Sequence, residues 1–170
     1  MNILCGSHST GKSTLLEHLN KIDKNIYTSD GFSRPVKRVK NKLKFDNLSE
    51  QIIINELTEW AFLNYLGKNV FTARSPIDAI VYSNLLFPDL DTTSLKETFY
   101  ENLDKVENIF YIPIEFEIQN DGVRFIDPEF QQQVDLAIQD FLLEDRIAKK
   151  VIILQGSIQE RIDLIKKSFF

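Results

Sequence analysis

The sequence predicts an α/β fold in which a five-stranded parallel sheet carries helices on both faces. Three observations lead there. Short β-branched or aromatic runs alternate with longer helical patterns along the chain. No hairpin signal joins neighbouring strand candidates, so consecutive strands run parallel through helical crossovers. At 170 residues and 43% hydrophobic, the chain suffices for one full core and is short for two ordinary domains, so residues 1–170 read as a single domain.

The strands are expected at Asn2-Cys5, Asn25-Thr28, Asn69-Ala73, Asn108-Pro113 and Val151-Gln155. Helices fit between them at Lys12-Ile22, Ser49-Leu66, Pro76-Leu86, Thr93-Val106, Pro128-Lys149 and Ile158-Ser168. Start signals support several: Ser49 before Glu50-Gln51, Pro76 after Ser75, and Asp127-Pro128. Trp60, Phe62, Leu63 and Leu66 read as core rather than as an aromatic ligand cage. In sheets of this type ligands bind beyond the carboxyl ends of the strands. What each strand delivers at that edge therefore decides function.

After the first strand stands GSHSTGKST, Gly6, Ser7, His8, Ser9, Thr10, Gly11, Lys12, Ser13 and Thr14. It fits G-x-x-x-x-G-K-[ST] between a strand and a helix, the context of a phosphate-binding loop. Its glycines let successive N–H groups point inward around an anion at a helix N-terminus. Lys12 suits the β- and γ-phosphates, and the Ser13 hydroxyl suits the shell of a bridging Mg²⁺ ion, so the expected ligand is Mg·ATP or Mg·GTP. His8 occupies a variable position and lines the loop. His18 reads as surface or helix packing, and no Cys/His ligand set is present.

The other strand ends carry charge. After the second strand, Asp30 and Arg34 leave the same edge with Gly31 between them. Asp30 suits orienting or deprotonating a hydroxyl, or holding a metal-bound water; Arg34 suits gripping an anion; the alternative is a plain Asp-Gly turn beside a surface Arg. From Arg34 the run continues through Lys37, Arg38, Lys40, Lys42 and Lys44 without an acid, which suits a nucleotide phosphate or a nucleic-acid backbone, or else a solvated helix face. Arg74 follows the third strand, poised to pair with a phosphate, and Asp78 stands one turn on, to tether Arg74 or join a metal's outer shell. After the fourth strand a polar excursion of about fifteen residues exceeds usual α/β connections and suggests a lid, about residues 113–127, with Asp121-Gly122 as its turn and Arg124 as an arginine finger. After the fifth strand, Gly156 and Ser157 suit the approach of the nucleotide's base.

Composition narrows the setting. Net charge is −5 with a pI near 5.1, which argues against a general nucleic-acid coating protein while leaving room for a local basic patch. One Cys, in the first strand, excludes a disulfide framework and suits a reducing cytosol. Neither a signal peptide pattern nor an apolar run of about 18 residues is present, so a cytoplasmic protein without a membrane partner is expected.

Taken in order, these residues resemble the P-loop kinases of nucleosides and nucleotides. The resemblance is nearest to the small AAA-type ATPase/kinase group that includes the ribosylnicotinamide kinase module and many phage-encoded members. It covers nearly the whole chain, with GSHSTGKST as Walker A, Asp30 and Arg34 after the second strand, ARSPIDA as the [DE]-R-S-P-x-D segment, DGVRF as the lid and QGSIQER as the adenine loop. It implies strand order 2-3-1-4-5, ATP and Mg²⁺ as cofactors, and a host-cytoplasm location if the chain is phage-encoded. It also implies Lys12, Asp30, Arg74 and Arg124 as catalytic residues, and Asp30, Arg34, Arg38, Arg74 and Asp78 as acceptor-site residues. One position departs: Ala73 stands where such kinases carry Asp or Glu, leaving the acidic role to Asp30 or Asp78. Because a phosphate acceptor is already anionic, Ala73 favours a nucleoside monophosphate, while Asp30 keeps a nucleoside hydroxyl open. The expected reaction moves the γ-phosphoryl of ATP to a nucleoside or (deoxy)nucleoside monophosphate. Alternatives are a kinase acting on a nucleotide within DNA or RNA, contacted through Arg34 to Lys44, and an ATPase switch regulating a partner. A homodimer is compatible with either.

Overall fold

The computed structural model describes residues 1–44, 46–115 and 127–169. Five strands, β1 (Asn2–Cys5), β2 (Tyr27–Ser29), β3 (Val70–Thr72), β4 (Asn108–Tyr111) and β5 (Val151–Ile153), form one parallel sheet in the order β2-β3-β1-β4-β5. The expected order and direction are both observed. Register fixes the functional edge. Cys5 pairs with Tyr111 and Tyr111 with Ile153, so β1, β4 and β5 end level, while Ser29 pairs with Thr72 and Thr72 with Ile3, so β2 and β3 stop two residues short of them at the same edge.

The central strands are buried along their length, as a sheet covered on both faces requires. Alternate residues feed two cores. Ile3, Cys5, Ile109 and Tyr111 face one side, packing with Phe62, Ile77, Val81, Phe99, Val134 and Ile138. These come from α3 (Asn47–Tyr65), α4 (Pro76–Leu86), α5 (Thr93–Glu101) and α6 (Pro128–Leu142). Leu4, Phe71, Phe110 and Ile112 face the other, against Leu15, Leu16 and Leu19 of α1 (Lys12–Ile22) and Ile162 and Ile165 of α8 (Ile158–Phe169). Among the described residues, no helix is long and apolar enough to cross a membrane.

Several elements differ from expectation, each for a local reason. The basic run forms a helix of its own, α2 (Ser33–Leu43), which buries only Val36 and tolerates Pro35 in its first turn. Helix α3 starts two residues earlier than Ser49, because Asp46 is its N-cap and accepts the Ser49 N–H at 2.7 Å. The expected Pro128-Lys149 helix breaks. Leu143 N–H is shared by the Gln139 and Asp140 carbonyls and Glu144 turns extended, so a short α7 (Asp145–Ala148) can bury Ile147. Helix α5 ends at Glu101, and a 3₁₀ turn over Leu103–Lys105 carries Leu103 into the core. Trp60 is a correction: it is 59% exposed and Leu63 is 48% exposed, whereas Phe62 is fully buried. Only one face of α3 meets the sheet, and Trp60 lies off it.

Phe110 lies in β4 with no exposure and stacks on Phe71 at 6.0 Å between ring centroids. Phe110→Ala should lower the unfolding free energy by about 3–5 kcal/mol, the usual cost of emptying a buried Phe site. Urea denaturation monitored by circular dichroism measures it.

Candidate functional site

The loop after β1 is shaped by three left-handed residues. Gly6 has φ 142°, and a Cβ there would lie 2.4 Å from the Ile112 carbonyl oxygen, so β1 leaves the sheet where only glycine passes. Ser9 (φ 64°) and Gly11 (φ 92°) complete the turn into α1. Alternating backbone handedness of this kind gathers N–H groups on one side, and the α1 N-terminus has no side-chain cap and no acid in its first turn. Lys12 is buried. Its ammonium donates to the Gly6 carbonyl at 2.6 Å, the Ser7 carbonyl at 2.5 Å and Thr10 Oγ1 at 3.3 Å. Among the described residues, the buried Ser7 hydroxyl has no hydrogen-bond partner. A caged cation, an unsatisfied hydroxyl and clustered N–H groups together suit an anion such as a phosphate chain.

Beside this loop the chain brings together Ser13, Asp30 and Arg34. Ser13 Oγ donates to Asp30 Oδ1 at 2.6 Å, and Arg34 Nη1 donates to Asp30 Oδ2 at 2.7 Å. Asp30 and Arg34 are each about two-fifths exposed, so both meet solvent at the edge. Gly31 permits the crowding. With φ 76° and no Cβ, it lets the Arg74 stem pass where a Cβ would sit 2.2 Å from Arg74 Cγ. Arg74 thus leaves β3 directly over the loop after β2.

Arg74 is held from below. Its guanidinium lies 5.4 Å from the Tyr82 ring centroid, with Asp78 Oδ1 3.7 Å from Nη1. Asp78 forms the capping box of α4, taking the Ser75 N–H and hydroxyl at 3.1 Å each, and burial pushes its carboxyl up despite Arg74 and Lys12. Tyr82 Oη meets His8 Nδ1 at 3.1 Å, and burial raises its phenol as well. His8 lines the loop as expected, stacked on Phe130, with its carbonyl accepting from Gln131 Nε2 at 2.7 Å. Ala73 is buried, and its N–H joins Ser29 O at 2.8 Å. Of the two acids left for its missing carboxylate, Asp30 is the one against Ser13.

The remaining expected residues divide. Arg38 is exposed on α2, a turn beyond Arg34, and Thr14 is exposed on α1. Gly156 and Ser157 stand at the β5 exit, where the Gly156 N–H meets both oxygens of Glu115 at 3.0 and 3.1 Å. Ser157 begins α8 in a capping box with Glu160. Asp121, Gly122 and Arg124, the core of the expected lid, lie outside the described residues. Sequence reasoning assigned no role to Tyr82, Gln131, Glu115 or Arg161, although Arg161 closes the QGSIQER segment, Glu115 falls within the expected lid range and Tyr82 follows ARSPIDA by three residues. Among the described residues there is no group of three or more His, Cys, Asp or Glu able to hold a metal.

Residues 2–161 match the model of a family described as AAA domain. No curated protein matches the chain by sequence. Among solved structures, the chain is similar to a NadR protein in complex with NR, at 20% identity and TM-score 0.70, covering 98% of this chain and 50% of that one. It is also similar to thymidylate kinase from Ehrlichia chaffeensis, at 18% identity and TM-score 0.62, covering 98% and 96%. A deoxyadenosine kinase from M. mycoides with products dCMP and a flexible dCDP bound gives 15% identity and TM-score 0.63, covering 98% and 97%. The chain spans half the length of the NadR protein. At these identities the likeness is one of fold.

One electrostatic consequence follows from Glu115. Burial works against its charge, but the Gly156 N–H and the Arg161 guanidinium outweigh burial and hold the carboxyl below its usual range. A lowered native pKa stabilises the fold above the ordinary carboxylate value of about 4.3, and that contribution is lost as pH falls through the native value. Glu115→Gln should therefore melt below the wild type at neutral pH and converge with it as pH falls below the ordinary carboxylate value of about 4.3, in thermal scans across that range.

Proposed function

We propose, from the premise that the chain belongs to the AAA domain family, that it transfers the γ-phosphoryl of Mg·ATP to a nucleoside or nucleoside monophosphate. One observation carries this reading: the second strand delivers Asp30 onto Ser13, with Arg34 on its other oxygen, beside the loop that cages Lys12. A loop built only to hold a nucleotide needs no acid and arginine pair at its open edge. A phosphoryl transfer does, because an acceptor must be oriented and the moving charge neutralised. The kinases among the structural neighbours support the same reaction class.

The residues present fit both cofactors. The N–H groups of the Gly6–Gly11 loop and the Lys12 ammonium would hold the phosphates, the ammonium exchanging loop oxygens for phosphate oxygens. Ser13 and Asp30 form an oxygen pair of the kind Mg²⁺ takes when phosphates and water complete its shell. When bound, Mg²⁺ would supply neutralisation of the phosphate charge. Arg74, braced by Tyr82 and Asp78, faces the acceptor side of the loop and offers charge to the transferred group. Asp30 is the acid that orients or deprotonates the acceptor. Arg34 and Arg38 give that side an affinity for anions, which favours a monophosphate. Arg124 enters this reading from its sequence position alone.

The α2 surface supports a second acceptor. Val36 is its one buried residue, so Arg38, Lys42 and Lys44 present exposed charge that suits the backbone of a nucleic acid. Binding of an oligonucleotide at low salt, lost steeply as salt rises, would support a polymer-linked acceptor; no binding at low salt removes it.

Incubation with Mg·ATP and a panel of nucleosides and monophosphates should give ADP that depends on the acceptor. Acceptor-independent turnover would refute the transferase reading. Lys12→Ala should abolish turnover. Asp30→Asn separates the acceptors: a hydroxyl acceptor should lose about 10² or more in kcat, and a phosphate acceptor much less.

A further inference from the structure

Arg161 of α8 is 3% exposed and reaches a residue 151 positions away: its Nη1 donates to the Thr10 carbonyl at 3.1 Å. Its Nη2 donates to Glu115 Oε2 at 2.5 Å. Glu115 in turn takes the Gly156 N–H. One guanidinium therefore joins the chain exits of β1, β4 and β5. Burying such a charge is costly, and replacing a buried ion pair as a whole by apolar side chains of similar volume commonly serves stability as well or better. Stability alone does not account for the arrangement.

The peptide plane supplies the reason. In a planar trans peptide the C=O and the next N–H point in opposite directions. Holding the Thr10 carbonyl toward α8 turns the Gly11 N–H away from α8. Gly11 is the last residue before α1, with φ 92°, and Arg161 Nη1 lies 3.4 Å from where its Cβ would be. We propose that Arg161, fixed by Glu115, is a positioning residue that locks the Thr10–Gly11 peptide with its N–H on the anion side of the loop before a phosphate chain binds. This rests on the loop being a phosphate cradle, as proposed above. A donor aimed in advance avoids reorganisation on binding. Without the clamp the peptide can rotate and present its carbonyl to the anion instead.

Calorimetric titration of Mg·ATP and of inorganic tripolyphosphate into wild type, Arg161→Met, Arg161→Lys, Glu115→Gln and the Arg161→Met/Glu115→Gln double variant tests this, with thermal midpoints measured in parallel. Arg161→Met fills the space without the charge and should weaken both ligands about tenfold, the effect of one misaligned hydrogen bond to a charged group. Because Arg161→Met leaves Glu115 without its cation, its thermal midpoint should fall, whereas the double variant, which removes both charges, should recover stability without recovering affinity. Arg161→Lys, whose ammonium cannot fork between Thr10 and Glu115, should weaken binding less and keeps the test open if Arg161→Met fails to fold. The double variant should bind no worse than Arg161→Met alone. Unchanged affinity in both Arg161 variants overturns the proposal, as does weakening confined to ATP, which would place the effect at the base side through Gly156. Weakening that tracks thermal stability across the set overturns it too. Wild-type protein that binds neither ligand overturns the phosphate-cradle reading itself.

Discussion

The passage of Gly6 beneath the Ile112 carbonyl is the constraint on which the edge of this sheet depends. A Cβ at that point would stand 2.4 Å from the oxygen, so the chain leaves β1 tight against the residue that follows β4. That closeness sets the height of the loop above the strand ends and brings Lys12 back under it. Two pairings fix the neighbouring strand: Cys5 on Tyr111, and the Ile112 N–H on the Cys5 carbonyl at 2.9 Å. Everything that reaches the loop does so by way of an element whose position this register fixes.

Around the loop, charge is organised by satisfaction of its own partners. Lys12 is held by loop oxygens, Arg34 by Asp30, Arg74 by Asp78 and the Tyr82 ring, and Arg161 by Glu115 and Thr10. Arg74 and Arg161 are thereby oriented without a ligand, which would lower the reorganisation demanded by an incoming anion, whereas Lys12 would have to exchange its loop oxygens for those of the anion. Asp78 illustrates the division of labour. Its carboxylate, expected to tether Arg74 or to join a metal's outer shell, closes the α4 capping box and lies against Arg74, while Asp30 meets Ser13.

The two small residues near Arg74 matter as much as the charged ones. Gly31 clears space for the Arg74 stem, and Ala73 carries no acid where the family resemblance would place one. In the reading proposed above, the acid at the exit of β2, one strand nearer the sheet edge than β3, takes the acidic role. At that exit Asp30 is solvent-accessible and paired with an arginine, a setting that differs from a carboxylate buried beside the strand end.

By itself the sequence determined the class of fold, the strand order through its family resemblance, and the loop, because these rest on local signals: alternation of apolar runs, the spacing of Gly6, Gly11, Lys12 and Ser13, and breaks where strands end. Strand-end residues such as Asp30, Arg34 and Arg74 were legible for the same reason, since a parallel sheet sends every carboxyl end to one edge. The tertiary structure alone decided which of them touch. It set Asp30 rather than Asp78 on Ser13, put Tyr82 beneath Arg74, turned Trp60 outward, and joined Arg161 to Thr10 across 151 positions. The Arg161 contact spans nearly the whole chain, and the others join neighbouring elements through their relative placement. No local pattern encodes them, because they follow from helix rotation and sheet register, which only the packed core fixes.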